Sequence, residues 1–171
     1  MGLSEKIFKK PNTRADPNGF FQTLTAYTPA FTSWNGALYE SELVRSAIHA
    51  KATHISKLNV TVEGSAKPKL RTRLRTGPNS FQTWGQFLYR LSTILDMQNT
   101  AFIVPVLDDY MEMTGYYPIL PSRCELLDYN GEPWLKYEFT SGESAVIEMS
   151  RCGIMNKFQY QDDFFGSSNT E

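Results

Sequence analysis

The apolar residues of this chain change their period once, near Asn99, and that change limits the possible folds more than any other feature. From Leu38 to Leu58, Leu43, Val44, Ala47, Ile48, Ala52 and Ile55 recur mostly at steps of three and four, the stripe of an amphipathic helix. Glu40 and Glu42 stand at its start and Lys57 at its end, as the helix dipole favours. Asn59–Glu63 alternates and is β-branched, which predicts a strand stopped by Gly64. Leu70 and Leu74 point to a short helix before the Pro78-Asn79 break. Trp84, Phe87, Leu88, Leu91, Ile94 and Leu95 predict a second main helix over Trp84–Met97, with Thr83 as its cap. Beyond Asn99 come AFIVPVL, GYYPILP, CELLDY, WLKYEF, SAVIEM and GIMNKF, short runs separated by Asp108-Asp109, Pro121-Ser122, Asn130-Gly131, Ser141-Gly142 and Ser150. Asn130-Gly131 and Ser141-Gly142 are hairpin turns by composition. Helices first and strands afterwards make an α+β fold, two main helices packed on a mostly antiparallel sheet or meander, and exclude an alternating βαβ plan. No internal repeat is evident.

Residues 1–36 read differently. Pro11, Pro17, Gly19, Pro29 and Gly36 interrupt any helical period, yet Phe20, Phe21, Tyr27, Phe31 and Trp34 place five aromatic rings in fifteen residues. A solvated linker rarely carries so many, so these five are candidates for burial on the body or at a subunit interface. The organisation is then an extended aromatic arm, 1–36, and one α+β domain, 37–171. A chain of 171 residues buries roughly 70% of its unfolded surface. Its 13% aromatic content excludes a disordered chain, and its two cysteines exclude a disulfide scaffold. The short apolar runs predict no membrane span, and MGLSEKIFKKPNTR has no apolar stretch of signal-peptide length, so a soluble, intracellular protein is expected. The net charge of −1 conceals a split: residues 1–75 carry 12 Lys/Arg against 5 Asp/Glu, a net of +7, and residues 76–171 carry 5 against 13, a net of −8. Such a split fits head-to-tail complementarity between copies or a basic face for nucleic acid, unless the halves fail to map onto faces.

Candidate chemistry is sparse. His49 and His54 are five apart, whereas zinc helices stack ligands four apart, and no HExxH or CxxC accompanies them. Cys124 and Cys152 each follow an arginine, Arg123 and Arg151, but adjoin predicted strands where small hydrophobes are common. Asp108-Asp109 reads as a turn; Asp162-Asp163 has no such explanation in the pattern. The phosphate-loop, dinucleotide and serine-hydrolase signatures are missing, so no catalytic, cofactor or metal residue is assigned and no enzyme is expected. Lys67, Lys69, Arg71, Arg73 and Arg75 could contact phosphates of a nucleic acid or form a solvated rim; a helix through Leu70 and Leu74 would scatter them.

Four blocks in order add to this. YTPAFTSWNGALYESELVRSAIHAKATHISKL (27–58), GPNSFQTWGQFLYRLSTILDMQNTAFIVPV (77–106), GYYPILPSRCELL (115–127) and FQYQDDFFGSSN (158–169) resemble the N-terminal part of portal proteins of long-tailed bacteriophages and prophages. Asn99-Thr100-Ala101-Phe102-Ile103, Pro118 to Pro121, and Asp162 to Gly166 with Asn169 match the family's patterns, and place Asp162-Asp163 in a non-catalytic block. The resemblance implies a wing-like domain of a dodecameric ring at one capsid vertex, the passage for DNA, located in the virion or the host cytoplasm. It implies no enzyme activity, cofactor, small-molecule substrate or membrane. The full-length family also engages the terminase, the capsid and head–tail adaptors.

Portal chains of this kind run to more than twice this length, and their stem, terminase-binding clip, channel loop and crown have no counterpart here. The expectation is an expressed fragment or a truncated prophage gene. Phe158, Tyr160, Phe164 and Phe165 would then form an exposed apolar patch favouring self-association.

Overall fold

A computed structural model of the chain describes residues 22–23, 41–65, 67–108, 110, 112–138, 144–160 and 162–167. The elements are β1 (Gln22–Thr23), α1 (Glu42–Ile55), α2 (Pro68–Thr76), α3 (Trp84–Gln98), β2 (Thr100–Leu107), β3 (Met113–Ile119), β4 (Cys124–Tyr129), β5 (Glu132–Glu138), β6 (Ser144–Glu148) and β7 (Gly153–Asn156). The fold is α+β; the described residues form three helices and two small antiparallel sheets, in the orders β3-β2-β7 and β1-β4-β5-β6. Phe20, Phe21, Tyr27, Phe31 and Trp34 lie outside the described residues.

The best-specified element is α3. Thr83 and Gln86 form a reciprocal capping box: the Gln86 N–H donates to Thr83 Oγ1 and the Thr83 N–H donates to Gln86 Oε1 at 2.9 Å. At its other end Asn99 adopts φ 52°, and its N–H donates to the Leu95 carbonyl. The apolar face of α3, Phe87, Leu91 and Ile94, packs on Ala101, Ile103 and Tyr116 of the three-stranded sheet and on Leu120 just beyond β3. The opposite face of that sheet, Phe102, Val104, Val106, Tyr117 and Ile119, packs on Leu126, Leu135, Tyr137, Ala145 and Ile147 of the other. The layers are therefore helices, sheet, sheet, with β2 covered on both faces. This is why AFIVPVL is a continuous apolar run and does not alternate. Phe102, Val104, Ile119 and Leu135 are fully buried, each contributing about 1.5–3 kcal/mol.

Pro105 sits inside β2 without breaking it. Its partner Tyr116 turns its own N–H out of the ladder to the Pro78 carbonyl, 2.7 Å away, so the missing proline donor removes no ladder bond. Asn130 (φ 55°) and Gly131 (φ 84°) form the left-handed two-residue turn between β4 and β5, as Asn-Gly requires. Asp108 closes the β2–β3 turn by accepting from the Tyr110 and Glu112 N–H groups. Ser141-Gly142 lies outside the described residues, between two strands that do pair.

A short repeat invisible as a sequence period appears where the chain changes sheets. It leaves the three-stranded sheet through the 3-10 turn Pro121–Arg123 and returns through Met149–Arg151. Each turn ends in Ser-Arg-Cys. Each cysteine N–H closes on the carbonyl three residues back, and each thiol leans on the carbonyl four back.

Three expectations are corrected. Asn59–Glu63 forms no ladder with any described strand; β-branched residues favour a strand only where a neighbour exists to pack against. The α1 stripe is only partly covered: Ala52 is buried, but Leu43 is 81% exposed, because α1 packs on α3 and not on a sheet. The expected four-ring patch is split. Phe158 and Tyr160 are exposed, Phe164 is half-buried, and Phe165 is a core residue edge-on to Phe102.

Candidate functional site

The sequence blocks interlock in two places. In the first, the 77–79 loop docks on β3. The Pro78 carbonyl accepts from Tyr116, and the Asn79 side-chain amide donates to the Tyr116 carbonyl at 2.7 Å. Gly115 is required there, since a Cβ would overlap the Pro78 carbonyl and press on the Asn79 Cα.

In the second, residues 162–167 fold back on the α3–β2 corner. Asp162 Oδ1 accepts from the Phe164 and Phe165 N–H groups at 2.7 and 2.9 Å, a side-chain-closed turn that explains the acid without chemistry. That turn delivers Phe165 to the core. The Gly166 N–H donates to Thr100 Oγ1 (2.7 Å), the Asn99 amide donates to the Ser167 carbonyl (2.7 Å), and the Lys157 N–H donates to the Asn99 carbonyl (2.8 Å). A Cβ on Gly166 would fall inside the Lys157 and Asn99 carbonyl oxygens. Asn169, part of the same sequence pattern, lies outside the described residues.

Asp96 of α3 ties these layers together. Its Oδ1 accepts from Lys51 of α1 at 2.6 Å and from Lys157 beside β7, with the carboxylate side chain 9% exposed. Burial alone would raise its pKa, but the hydrogen bonds from Lys157 and Lys51 outweigh burial and hold the carboxyl below its ordinary value.

The histidines and cysteines do not converge. His49 Nδ1 lies 2.9 Å from the Tyr89 hydroxyl across the α1–α3 pair, and His54 is exposed near the end of α1. Cys124 and Cys152 pack on the sheet–sheet core instead. Burial pushes both thiols up, Cys124 with a further rise from the nearby Cys152, and Cys152 to about 12 despite the Arg151 charge. Thiols in this state are poor nucleophiles.

The basic residues fall on one element. Lys67 caps α2 and the other four lie within it, with Pro68 in its first turn and Leu70 and Leu74 buried beneath. At 100° per residue the charges spread over the exposed arc, Lys69 and Arg75 outermost and Arg71 and Arg73 on the flanks. Lys67 pairs with Glu112 at 3.2 Å, and no ion pair among the described residues engages the other four. Beside α2, Arg73, Phe81, Gln86, Leu107 and Asp108 border an open groove of about 860 Å³.

A second charged surface was not visible in the sequence. Strand alternation aims Glu125, Glu132, Glu138 and Glu148 at the outer face of the four-stranded sheet, around Leu127, Tyr129, Trp134 and Val146. Lys136 is the one cation among the described strand residues of that face, and it pairs with Glu125 at 2.9 Å. The register that brings these acids together could have been sought from the Asn130-Gly131 turn, which sets the β4–β5 pairing.

The sequence matches no family model and no curated protein. The fold is found in solved structures. A chain of the neck of an empty gene transfer agent (GTA) particle, computed with C6 symmetry, aligns with a TM-score of 0.64 at 12% identity over 82% of this chain and 41% of that one. A chain of the native GTA virion aligns at 0.62 and 13% over 83% and 40%, and one of the native neck with C12 symmetry at 0.62 and 14% over 84% and 41%. This chain thus spans about two fifths of the length of those chains, and across that span it is similar to components of a particle neck and virion in fold.

Proposed function

We propose that this chain is a non-enzymatic structural component of a virion of the tailed-phage kind, at the head–tail junction, and that it corresponds to the wing region of a portal protein. The observation that carries the reading is the fold likeness over more than four fifths of the chain to components of particle necks and a virion. The ordered portal-like blocks support the finer assignment, and the interlocking of those blocks accounts for Asp162, Gly115 and Gly166 as framework residues. In this reading the chain works as part of a symmetric oligomer, with packaging terminase, capsid and adaptor proteins as partners of the whole assembly. Among the described residues no helix is long and apolar enough to cross a membrane.

The test is to tag the chain in its host, purify the particles and label the tag with gold for electron microscopy. One label locus at the head–tail junction is expected. A tag found over the whole capsid surface, or absent from particles, refutes the proposal.

A second reading takes α2 as a nucleic-acid contact, favoured by its four cations that pair with no carboxylate among the described residues. It requires duplex-DNA affinity that falls steeply with salt. No binding at low salt removes it.

A further inference from the structure

We infer that copies of this chain associate head to tail, the basic helix α2 of one copy seated on the acidic outer face of the β4–β5–β6 sheet of the next. The inference deepens the assembly reading above and rests on it. Lys69, Arg71, Arg73 and Arg75 have no ion-pair partner among the described residues, and neither do Glu132, Glu138 and Glu148. The two surfaces cannot neutralise each other within one copy. Helix α2 lies against β3, at the edge of the three-stranded sheet, whereas the acids face outward from the other sheet, on the side turned away from the sheet–sheet core. They are different surfaces of opposite sign, so their pairing is heterologous, and successive copies related by one rotation build a ring or a filament.

The chemistry on both sides suits contact. Three of the four unmatched cations are arginines, whose planar fork matches a carboxylate with two hydrogen bonds. Arg71 is half-buried and its Nε lacks a partner. The acids border Tyr129 and Trp134, which are half-buried and meet edge to face at 6.1 Å, beside Leu127, which the chain itself buries, so the contact rests on the exposed Glu132 and Glu138. Lys69 to Arg75 covers about 9 Å of helix axis and Glu132 to Glu138 about 20 Å of strand; long side chains at both helix ends make up the difference. A duplex is the poorer occupant, because the chain offers a surface of opposite sign of its own, three acids without an ion pair among the described residues, and carries a net charge of −1.

A charge swap tests the pairing. One variant of the full chain carries Lys69→Glu and Arg75→Glu, the other Glu132→Lys and Glu138→Lys. Sedimentation velocity is run on each alone, on the wild type and on the equimolar mixture, at low and high salt, with circular dichroism as the folding check. The wild type is expected to associate, less so at high salt. Each variant alone is expected to associate on the order of 100-fold more weakly, because like charges then face each other. The mixture regains association, since each variant offers the sign the other lacks. Restoration by mixing cannot come from misfolded variants. If the wild type associates and neither variant nor the mixture changes it, this interface is refuted while the assembly reading stands. If the wild type stays monomeric at all salts, both fall. If only the α2 variant matters, and only through loss of duplex DNA binding, α2 is a nucleic-acid contact and the inference is overturned.

Discussion

Replacing Gly166 with alanine tests whether residues 162–167 act as a clasp on the α3–β2 corner. The added methyl group meets two backbone carbonyls, those of Lys157 and Asn99, and neither can yield freely. The Asn99 carbonyl already accepts from the Lys157 N–H, and Asn99 is held at φ 52° by its role at the end of α3. Overpacking against a yielding neighbour costs about 1–3 kcal/mol. The upper limit is set by the alternative of lifting the whole segment. That exposes Phe165, about 2–3 kcal/mol, and breaks the Gly166–Thr100 and Asn99–Ser167 hydrogen bonds, about 1 kcal/mol each. The expected loss is therefore about 3 kcal/mol and no more than about 5. Urea unfolding gives the value directly, and thermal unfolding should show a fall of about 6–12 °C for a chain of this size. Gly131→Ala is the control: its φ of 84° is strained for alanine, but nothing lies within 4 Å, so about 1 kcal/mol is expected. Phe165→Ala should cost about 3–5 kcal/mol by itself. Adding Gly166→Ala to it should cost much less than the two apart, because the segment has already lost its anchor. A Gly166→Ala loss no larger than that of Gly131→Ala, or full additivity with Phe165→Ala, refutes the clasp.

The Asp96 hub has a signed pH dependence. Its folded pKa lies below the unfolded value, so its contribution is fully present above the unfolded carboxylate pKa and lost as pH falls through the folded one. Asp96→Asn should destabilise the chain by about 1.5–3 kcal/mol at neutral pH and flatten the decline of urea midpoint between pH 5 and 3; an unchanged slope there counts against the hub. Cys124 and Cys152, half-buried with their thiols pushed up by desolvation, should react with a thiol reagent at pH 8 much more slowly in the native chain than in urea; equal rates in the two would count against that shift. Thr83→Ala removes one half of the α3 capping box and should cost about 0.5–2 kcal/mol by urea unfolding; a loss below that range would mean the cap is replaced by solvent.

What the sequence determined by itself was local. The start of α3 lies in Thr83 and Gln86, its end in Asn99, and the β4–β5 turn in Asn130-Gly131, because capping and turn chemistry act over a few residues. The order of elements, and with it the α+β class, follows from hydrophobic period, which also needs only neighbours in sequence. Tertiary structure decided the rest. Asn59–Glu63 has the composition of a strand and no ladder, since a strand needs a partner that sequence spacing does not supply. Phe158 and Phe165 are the same residue type seven positions apart; the Asp162 turn and the Gly166 contact send one into the core and leave the other 65% exposed. The division of the strands into two sheets came at the two Ser-Arg-Cys crossovers, whose repeated tripeptide does not by itself say that the chain changes sheets there. Charge followed the same rule. The basic run was legible as a run, but the acidic face exists only because strand register sets Glu125, Glu132, Glu138 and Glu148 on one side of a sheet, and register is fixed by which faces the folded chain buries.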